Sequence, residues 1–369
     1  MPEVIFVAGE ASGDLHAAGV AEELKRLRPD LELTGFGGPK MEQAGVTLFD
    51  RYDTGVMGFL EILRHIPRHW ALLETVRERF ERNDVKLLIV IDYPGFNMKA
   101  AEAAAEAGIP VLYYVTPQVW AWGAGRIPKL ARIVTKAAVI LPFEENLLRG
   151  HGIDATFVGH PLLDRARDLP DRQSARLTLG ISDSSPVLAL FPGSRQQEID
   201  RHIDDFVDTA RELEKHVPGL QVLVSVAPTI ELDPSRCPFR LVDSASFTVL
   251  RAADAALCKS GTTTLEAAIA DCPLVVAYRT SEISYLLARF MVTIPHIGLV
   301  NVVAGREVAK EFVQDALVPK KVAVELKQLL DPTDPERARV LQGLSEVRGK
   351  LGDPGAARRV AEMASGLVA

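Results

Sequence analysis

The feature that most restricts this chain is an alternation that occurs twice. Short apolar runs end in loops rich in Gly, Pro, Asp or Ser, and segments with helical spacing follow them. In the first half the runs are Val4–Ala8 (VIFVA), Leu87–Ile91 (LLIVI), Pro110–Tyr114 (PVLYY) and Lys136–Leu141. In the second they are Val187–Phe191 (VLALF), Gln221–Val226, Ala253–Leu257 and Leu274–Tyr278. An unbroken apolar run means a strand buried on both faces, and strands interleaved with helices mean parallel sheets covered by helices. Leu15, Ala18, Ala21, Leu24 and Leu27 mark a helix from about Asp14, and alanine-rich Lys99–Ala107 marks another. Gln197–His216 and Thr262–Ala270 are helices of the second half. The expected fold is α/β, two Rossmann-like domains facing a cleft. Residues 1–166 form the first domain, 186–345 the second, and 346–369 a C-terminal helical segment with a break at Lys350–Gly355. The polar stretch Ala166–Pro186, with Pro170 and Gly180, reads as a linker carrying a short helix.

The length of 369 residues suits two domains. With 47% hydrophobic and 25% charged residues the composition is that of an ordered globular chain. A net charge of 42 − 49 = −7 argues against a general nucleic-acid binder but leaves room for a local basic pocket. Cys237, Cys258 and Cys272 have neither CxxC nor zinc spacing and read as reduced core residues of a cytosolic protein. The start, MPEVIFVAGE, has no basic region before its apolar run and is not expected to be a signal peptide. The longest charge-free stretch, Ala107–Gly125, contains Gly108, Pro110, Pro117 and Gly123 and is not a membrane span. The eight histidines show no HExxH spacing, and His160 and His296 read as structural or peripheral. Asp204-Asp205 lies inside a helix, so no strand-end metal–diphosphate motif is present. Neither a metal nor a cofactor is expected.

In open parallel sheets ligands bind beyond the carboxyl ends of the strands, and four loops there are unusual. Gly9-Glu10-Ala11-Ser12-Gly13-Asp14 follows the first strand. It reads either as a turn capped by Ser12 or Asp14, or as a substrate loop presenting Glu10 and Ser12. It matches neither the dinucleotide nor the Walker pattern. Asp92-Tyr93-Pro94-Gly95-Phe96-Asn97 follows LLIVI. Asp92 reads either as a helix cap or as a general base whose pKa burial raises. Phe191-Pro192-Gly193-Ser194-Arg195 follows VLALF and reads either as a generic turn or as an anion site, where Ser194 and Arg195 meet an anion near a close-approaching backbone. Lys259-Ser260-Gly261-Thr262-Thr263-Thr264-Leu265-Glu266 offers hydroxyls for a diphosphate and Glu266 for two ribose hydroxyls, or a simple capping pattern. Trp120 and Trp122, in a Pro/Gly-rich loop, stack on a sugar, meet lipid, or pack the loop. The stretch Val56–Phe80 mixes Met57, Phe59, Leu60 and Trp70 with Arg64, Arg68, Arg77 and Arg79. It reads either as a lipid-headgroup contact or as a helix packed on its sheet.

Together these elements resemble the lipid-A-disaccharide synthase family, inverting glycosyltransferases of outer-membrane lipid A assembly. The resemblance runs through GEASGD (9–14), GFGGPKMEQAG (35–45), MGFLEIL (57–63), IDYPGFN (91–97), TPQVWAW (116–122), LPFE (141–144), FVGHPLLD (157–164), LFPGSRQQEI (190–199), KSGTTTLEAA (259–268) and NVVAGREVAKEFVQ (301–314). It implies a GT-B fold with the donor in the C-terminal domain. The implied donor is UDP-2,3-diacylglucosamine, the acceptor 2,3-diacylglucosamine 1-phosphate, and the products a β-1,6-linked disaccharide phosphate and UDP. Residue by residue, it implies Asp92 as base on the acceptor 6-hydroxyl, with Glu10 and Ser12 on the acceptor side. It places Gly193, Ser194 and Arg195 on the diphosphate and Ser260, Gly261, Thr262, Thr263 and Glu266 on phosphate and ribose. Asn301 and Glu307 are implied near the nucleotide. It further implies a cytoplasmic chain held peripherally at the inner membrane face, and a homodimer formed through the C-terminal part. Two departures are Gly123-Ala124-Gly125-Arg126 after WAW, more glycine-rich than the family pattern, and Lys259, which stands where a small or polar residue would serve as well. Rival readings are a UDP-N-acetylglucosamine 2-epimerase, an N-acetylglucosaminyltransferase, or a non-catalytic sugar-nucleotide sensor.

Overall fold

The computed structural model describes residues 1–51, 59–82, 84–121, 123–226, 230–243, 245–282, 285 and 294–368, with only the backbone path for 59–67 and 124. Of the residues singled out in the sequence, Met57 and Trp122 lie outside the described residues, as do the side chains of Phe59, Leu60 and Arg64. The chain forms two compact units: Met1–Asp164 with Gly352–Ala369, and Arg165–Leu351.

The first unit is built on seven parallel strands. They are β1 (Glu3–Ala8), β2 (Glu32–Gly37), β3 (Thr47–Arg51), β4 (Val85–Ile91), β5 (Val111–Tyr114), β6 (Lys136–Val139) and β7 (Ala155–Phe157), in the order β3-β2-β1-β4-β5-β6-β7. β1 is fully buried, and its side chains alternate between two cores. Ile5 and Val7 pack on one face with Leu88, Val90 and Ala100; Val4, Phe6 and Ala8 pack on the other with Ala17, Ala21 and Leu24. Burial on both faces is why the run is unbroken in sequence. The C-terminal helix Ala356–Leu367 belongs to this second core through Val360, Ala361 and Ala364. It is therefore part of the first unit and not a separate segment. Its first turn is fixed by Asp164, whose carboxylate accepts the N–H groups of Gly355 (2.5 Å) and Ala356 (3.0 Å).

The second unit has six parallel strands. They are β8 (Val187–Phe191), β9 (Gln221–Ser225), β10 (Arg240–Val242), β11 (Ala255–Lys259), β12 (Leu274–Tyr278) and β13 (Glu311–Val313), in the order β10-β9-β8-β11-β12-β13. The stretch read as a linker is built into this unit. Its helix Arg172–Thr178 carries Arg176, a guanidinium with 1% of its side chain exposed. Arg176 donates to Asp254 (2.8 Å) and to the carbonyls of Ala252, Ser182, Asp183 and Ser185 at 2.7–3.1 Å. Removing one partner of a buried charge pair leaves the rest unsatisfied. Arg176→Leu is expected to destabilise the second unit by about 3 kcal/mol, read as a lowered urea midpoint. An unchanged midpoint would make this network dispensable.

Both sheets reverse their strand order once, between β1 and β4 and between β8 and β11. At such a switch point adjacent loops run to opposite faces and leave a crevice beyond the strand ends. The loops after these four strands are the four that stood out in the sequence.

Candidate active site

In the first unit β1 and β4 pair in parallel with Ala8 opposite Ile91, which brings the Gly9-Glu10 and Asp92-Tyr93 segments side by side. Asp92 (φ 49°) and Tyr93 (φ 46°) are consecutive left-handed residues, and Val115 at the end of β5 is a third (φ 58°). Such backbone costs roughly 1–3 kcal/mol per residue and persists only where the surroundings enforce it. Here the enforcement is visible. The buried Asn97 amide donates to the carbonyls of Ile91 (3.0 Å) and Asp92 (2.7 Å), and the Tyr113 hydroxyl donates to that of Asp92 (2.9 Å). The Tyr93 ring lies so close over Gly9 that an added Cβ would meet it at 2.2 Å, so only glycine fits there. The Tyr93 hydroxyl is 2.8 Å from His69 Nε2. The bend lifts Asp92, half-buried, out of line with the strand.

The caps differ from expectation. Glu10 is itself the N-cap of helix Ala11–Leu27 and makes no side-chain capping bond. Ser12 lies exposed in the first turn. Asp14 is 1% exposed and caps the next helix instead, accepting the N–H groups of Gly38, Lys40 and Met41, each at 3.0 Å. Tyr93, not Asp92, is the N-cap of helix Pro94–Glu106. The charges of Glu10 and Asp92 are felt by neighbouring phenols. Tyr93 is pushed up by burial and then by Glu10, and Tyr113 by burial and then by Asp92. His160 is buried, accepts the Leu162 N–H at Nδ1 (3.2 Å), and is held neutral by burial, its pKa lowered to about 3.

One acid of this edge escaped the sequence reading. Glu144 is 3% exposed. Its carboxylate accepts the Trp120 indole N–H (2.9 Å) and the Leu141 N–H (3.0 Å). Trp120 also stands edge-on to Phe143, with ring centroids 5.1 Å apart. Burial outweighs these bonds and pushes the Glu144 carboxyl from 4.5 up to about 7. The folded state therefore holds this proton more tightly than the unfolded chain between pH 4.5 and 7. Its stabilising contribution is complete below that window and falls by roughly 3 kcal/mol as pH rises through it. Glu144→Gln is expected to gain stability over the parent chain between pH 5 and pH 8, as read from paired urea melts. An equal difference at both pH values would show an ordinary carboxyl.

In the second unit, β8 and β11 pair with Phe191 opposite Cys258, which sets the PGSR loop beside the KSGTTTLE loop. Gly193 has φ 148°, and an added Cβ would lie 2.5 Å from the Glu198 Cβ. Arg195 is the N-cap of helix Gln196–Glu214, with 57% of its side chain exposed. Glu198, also missed in the sequence, accepts the Ser194 N–H (3.0 Å) and the Lys259 ammonium (2.9 Å). Of the threonines, Thr262 is exposed and Thr263 half-buried. Thr264 is buried and spent on the Gly261 carbonyl (2.8 Å) and the Val300 N–H (3.3 Å). Thr262 makes no side-chain cap bond, so the simple capping pattern is absent. Glu266 is buried and ion-paired to Arg165 at 3.2 Å.

Asn301 lies in the interior of the second unit. It is fully buried and uses every polar atom inside the chain. Its NH2 donates to the Ala309 carbonyl and Glu311, and its oxygen accepts the Val308 and Ala309 N–H groups, all at 2.7–2.9 Å. Asn301 steadies Glu311, which holds the N–H groups of Ile297 and Gly298; the Ile297 carbonyl in turn accepts the Ser260 hydroxyl (2.7 Å). Glu307 is exposed and pairs with Lys310 at 3.2 Å. Cys258 and Cys272 are buried free thiols, Cys272 pushed by burial up to about 12.

Comparison with known proteins decides the family. The model of the lipid-A-disaccharide synthetase family matches residues 4–350. The chain belongs to that family. A lipid-A-disaccharide synthase of Myxococcus xanthus is 41% identical over 98% of this chain and 96% of its own length. One of Syntrophus aciditrophicus is 39% identical over 99% and 97%. Among solved structures, Neisseria meningitidis UDP-GlcNAc 2-epimerase bound to UDP-GlcNAc superposes with a TM-score of 0.66 at 15% identity, over 99% of this chain and 100% of that one. Medicago truncatula UGT71G1 complexed with UDP-glucose gives 0.64 at 16%, over 100% and 98%. These likenesses establish the GT-B fold, and the family makes the chain a glycosyltransferase. Among the described residues no helix is long and apolar enough to cross a membrane, and no group of three or more His, Cys, Asp or Glu could hold a metal ion.

Proposed function

We infer that this chain transfers 2,3-diacylglucosamine from UDP-2,3-diacylglucosamine to the 6-hydroxyl of 2,3-diacylglucosamine 1-phosphate. Asp92 takes the proton of the attacking hydroxyl. The O6–C1 bond forms as the bond from C1 to the diphosphate oxygen breaks, and the electron pair leaves on UDP. One in-line displacement of an α-linked donor gives the β-1,6 product. Glu10, in the loop after β1 and beside the Asp92 segment, and Ser12 line the acceptor side. Arg195, the Ser194 and Gly193 backbone, the hydroxyls of Thr262 and Thr263, and the loop held by Ser260 meet the negative charge on the departing diphosphate. Glu266 faces the ribose. The observation that supports this reading best is the enforced left-handed bend at Asp92-Tyr93, which spends backbone strain to present one carboxylate at a switch point.

Both substrates carry acyl chains, so the reading places the chain peripherally on the cytoplasmic face of a membrane. In the 56–80 segment Trp70 is 52% exposed, with Lys99 lying 4.9 Å over its ring. Arg68 donates to Asp50 at 3.2 Å. Charge reversal at Arg68 is expected to reduce co-sedimentation with anionic liposomes, and unchanged co-sedimentation would count against this contact.

The deciding experiment is release of UDP when the chain is given both diacyl substrates, with the disaccharide phosphate identified by mass. UDP release without the acceptor, or epimerised UDP-N-acetylglucosamine, would replace the proposal with the epimerase reading.

A further inference from the structure

The PGSR and KSG loops of the second unit converge on a carboxylate that belongs to the chain itself. Glu198 Oε2 accepts the Ser194 N–H at 3.0 Å. Its Oε1 accepts the Lys259 ammonium at 2.9 Å, and an Arg195 guanidinium nitrogen stands 4.0 Å away. The Lys259 and Glu198 side chains are 19% and 17% exposed, so the pair is well screened from water. Burial by itself would push the Glu198 carboxyl up. Lys259, the Ser194 N–H and Arg195 outweigh it and hold the group below the ordinary range. Glycine at 193 is what lets the acid sit this deep, because a Cβ there would lie 2.8 Å from Oε2.

A backbone N–H, an ammonium and a guanidinium gathered around one anionic group have the composition of a phosphate seat. Helix capping accounts for the Ser194 bond alone. It does not account for Lys259, which comes from the end of a different strand, 61 residues away.

We propose that Glu198 is a resident anion occupying the donor-diphosphate seat of the empty enzyme, and that Lys259 is a second diphosphate-binding cation which passes from Glu198 to the nucleotide when the donor binds. The inference rests on the donor reading above and deepens it. Glu198 keeps two cations from repelling each other in the empty loop. A diphosphate carries more charge and more acceptor oxygens than a carboxylate, so it displaces Glu198 from Lys259 and Arg195. UMP has a single phosphate and does not reach both cations.

The test is calorimetric titration of UDP and of UMP into the full-length chain and three variants, each checked for folding by its thermal melt. Glu198→Gln keeps an acceptor for the Ser194 N–H and removes the competing charge. It is expected to bind UDP about tenfold more tightly, the size of one charge-assisted hydrogen bond. Lys259→Met placed on that background is expected to return about tenfold of affinity for UDP and none for UMP. Glu198→Ala serves in place of Glu198→Gln if the amide upsets folding. UDP affinity unchanged or weakened in the Glu198 variants would make Glu198 a helix cap only. Equal UDP affinity with and without Lys259 on the Glu198→Gln background would remove Lys259 from the diphosphate. Failure of the parent chain to bind UDP at all would overturn the donor reading itself, and this inference with it.

Discussion

Asp92→Asn is expected to lower turnover by about 10²–10⁴-fold, the usual contribution of a general base, while UDP affinity stays within about twofold. Asparagine isolates the proton-accepting charge better than alanine does. Asp92 has φ 49°, a conformation that Asp and Asn tolerate and that alanine adopts only with strain. The bonds from Asn97 and Tyr113 go to the Asp92 carbonyl, so neither substitution touches them. Asp92→Ala therefore loses the charge and adds backbone strain, and a larger defect in alanine than in asparagine would report that strain. Turnover like that of the parent chain in Asp92→Asn, measured as UDP release with both substrates, would take Asp92 out of the mechanism.

Arg195→Ala is expected to weaken UDP binding by roughly 10–100-fold, the range of hydrogen bonds to a charged group, with little change in stability. The side chain is 57% exposed, and its helix position depends on the backbone. Arg195→Lys keeps the charge but loses the planar fork and is expected to fall between the two. Calorimetry showing unchanged UDP affinity in Arg195→Ala would contradict its placement on the diphosphate.

The central strands were legible because β1, β4, β8, β11 and β12 are buried on both faces and read as unbroken apolar runs. β2 escaped because its sequence, ELTGFG, carries two glycines that look like turn signals. β7, β10 and β13 escaped because each has three residues at the edge of a sheet, too few for a period to show. The four loops were legible because each marks an abrupt change from apolar strand to polar turn.

The residues that were not legible have partners distant in sequence. Glu144 meets Trp120 across 24 residues, Glu198 meets Lys259 across 61, and Arg176 meets Asp254 across 78. No spacing rule covers such pairs. The four bonds made by the Asn301 amide were not legible either, because its neighbourhood in sequence does not show them.

The account's central claim is a division of labour, with the proton acceptor at the β1/β4 switch point and the diphosphate seat at the β8/β11 switch point. A crystal structure of the chain with UDP and the acceptor bound tests it most directly. The account predicts the diphosphate on Arg195 and Lys259 and the acceptor 6-hydroxyl within hydrogen-bond reach of Asp92. UDP seated away from the PGSR and KSG loops, or a 6-hydroxyl held by some other base, would contradict it.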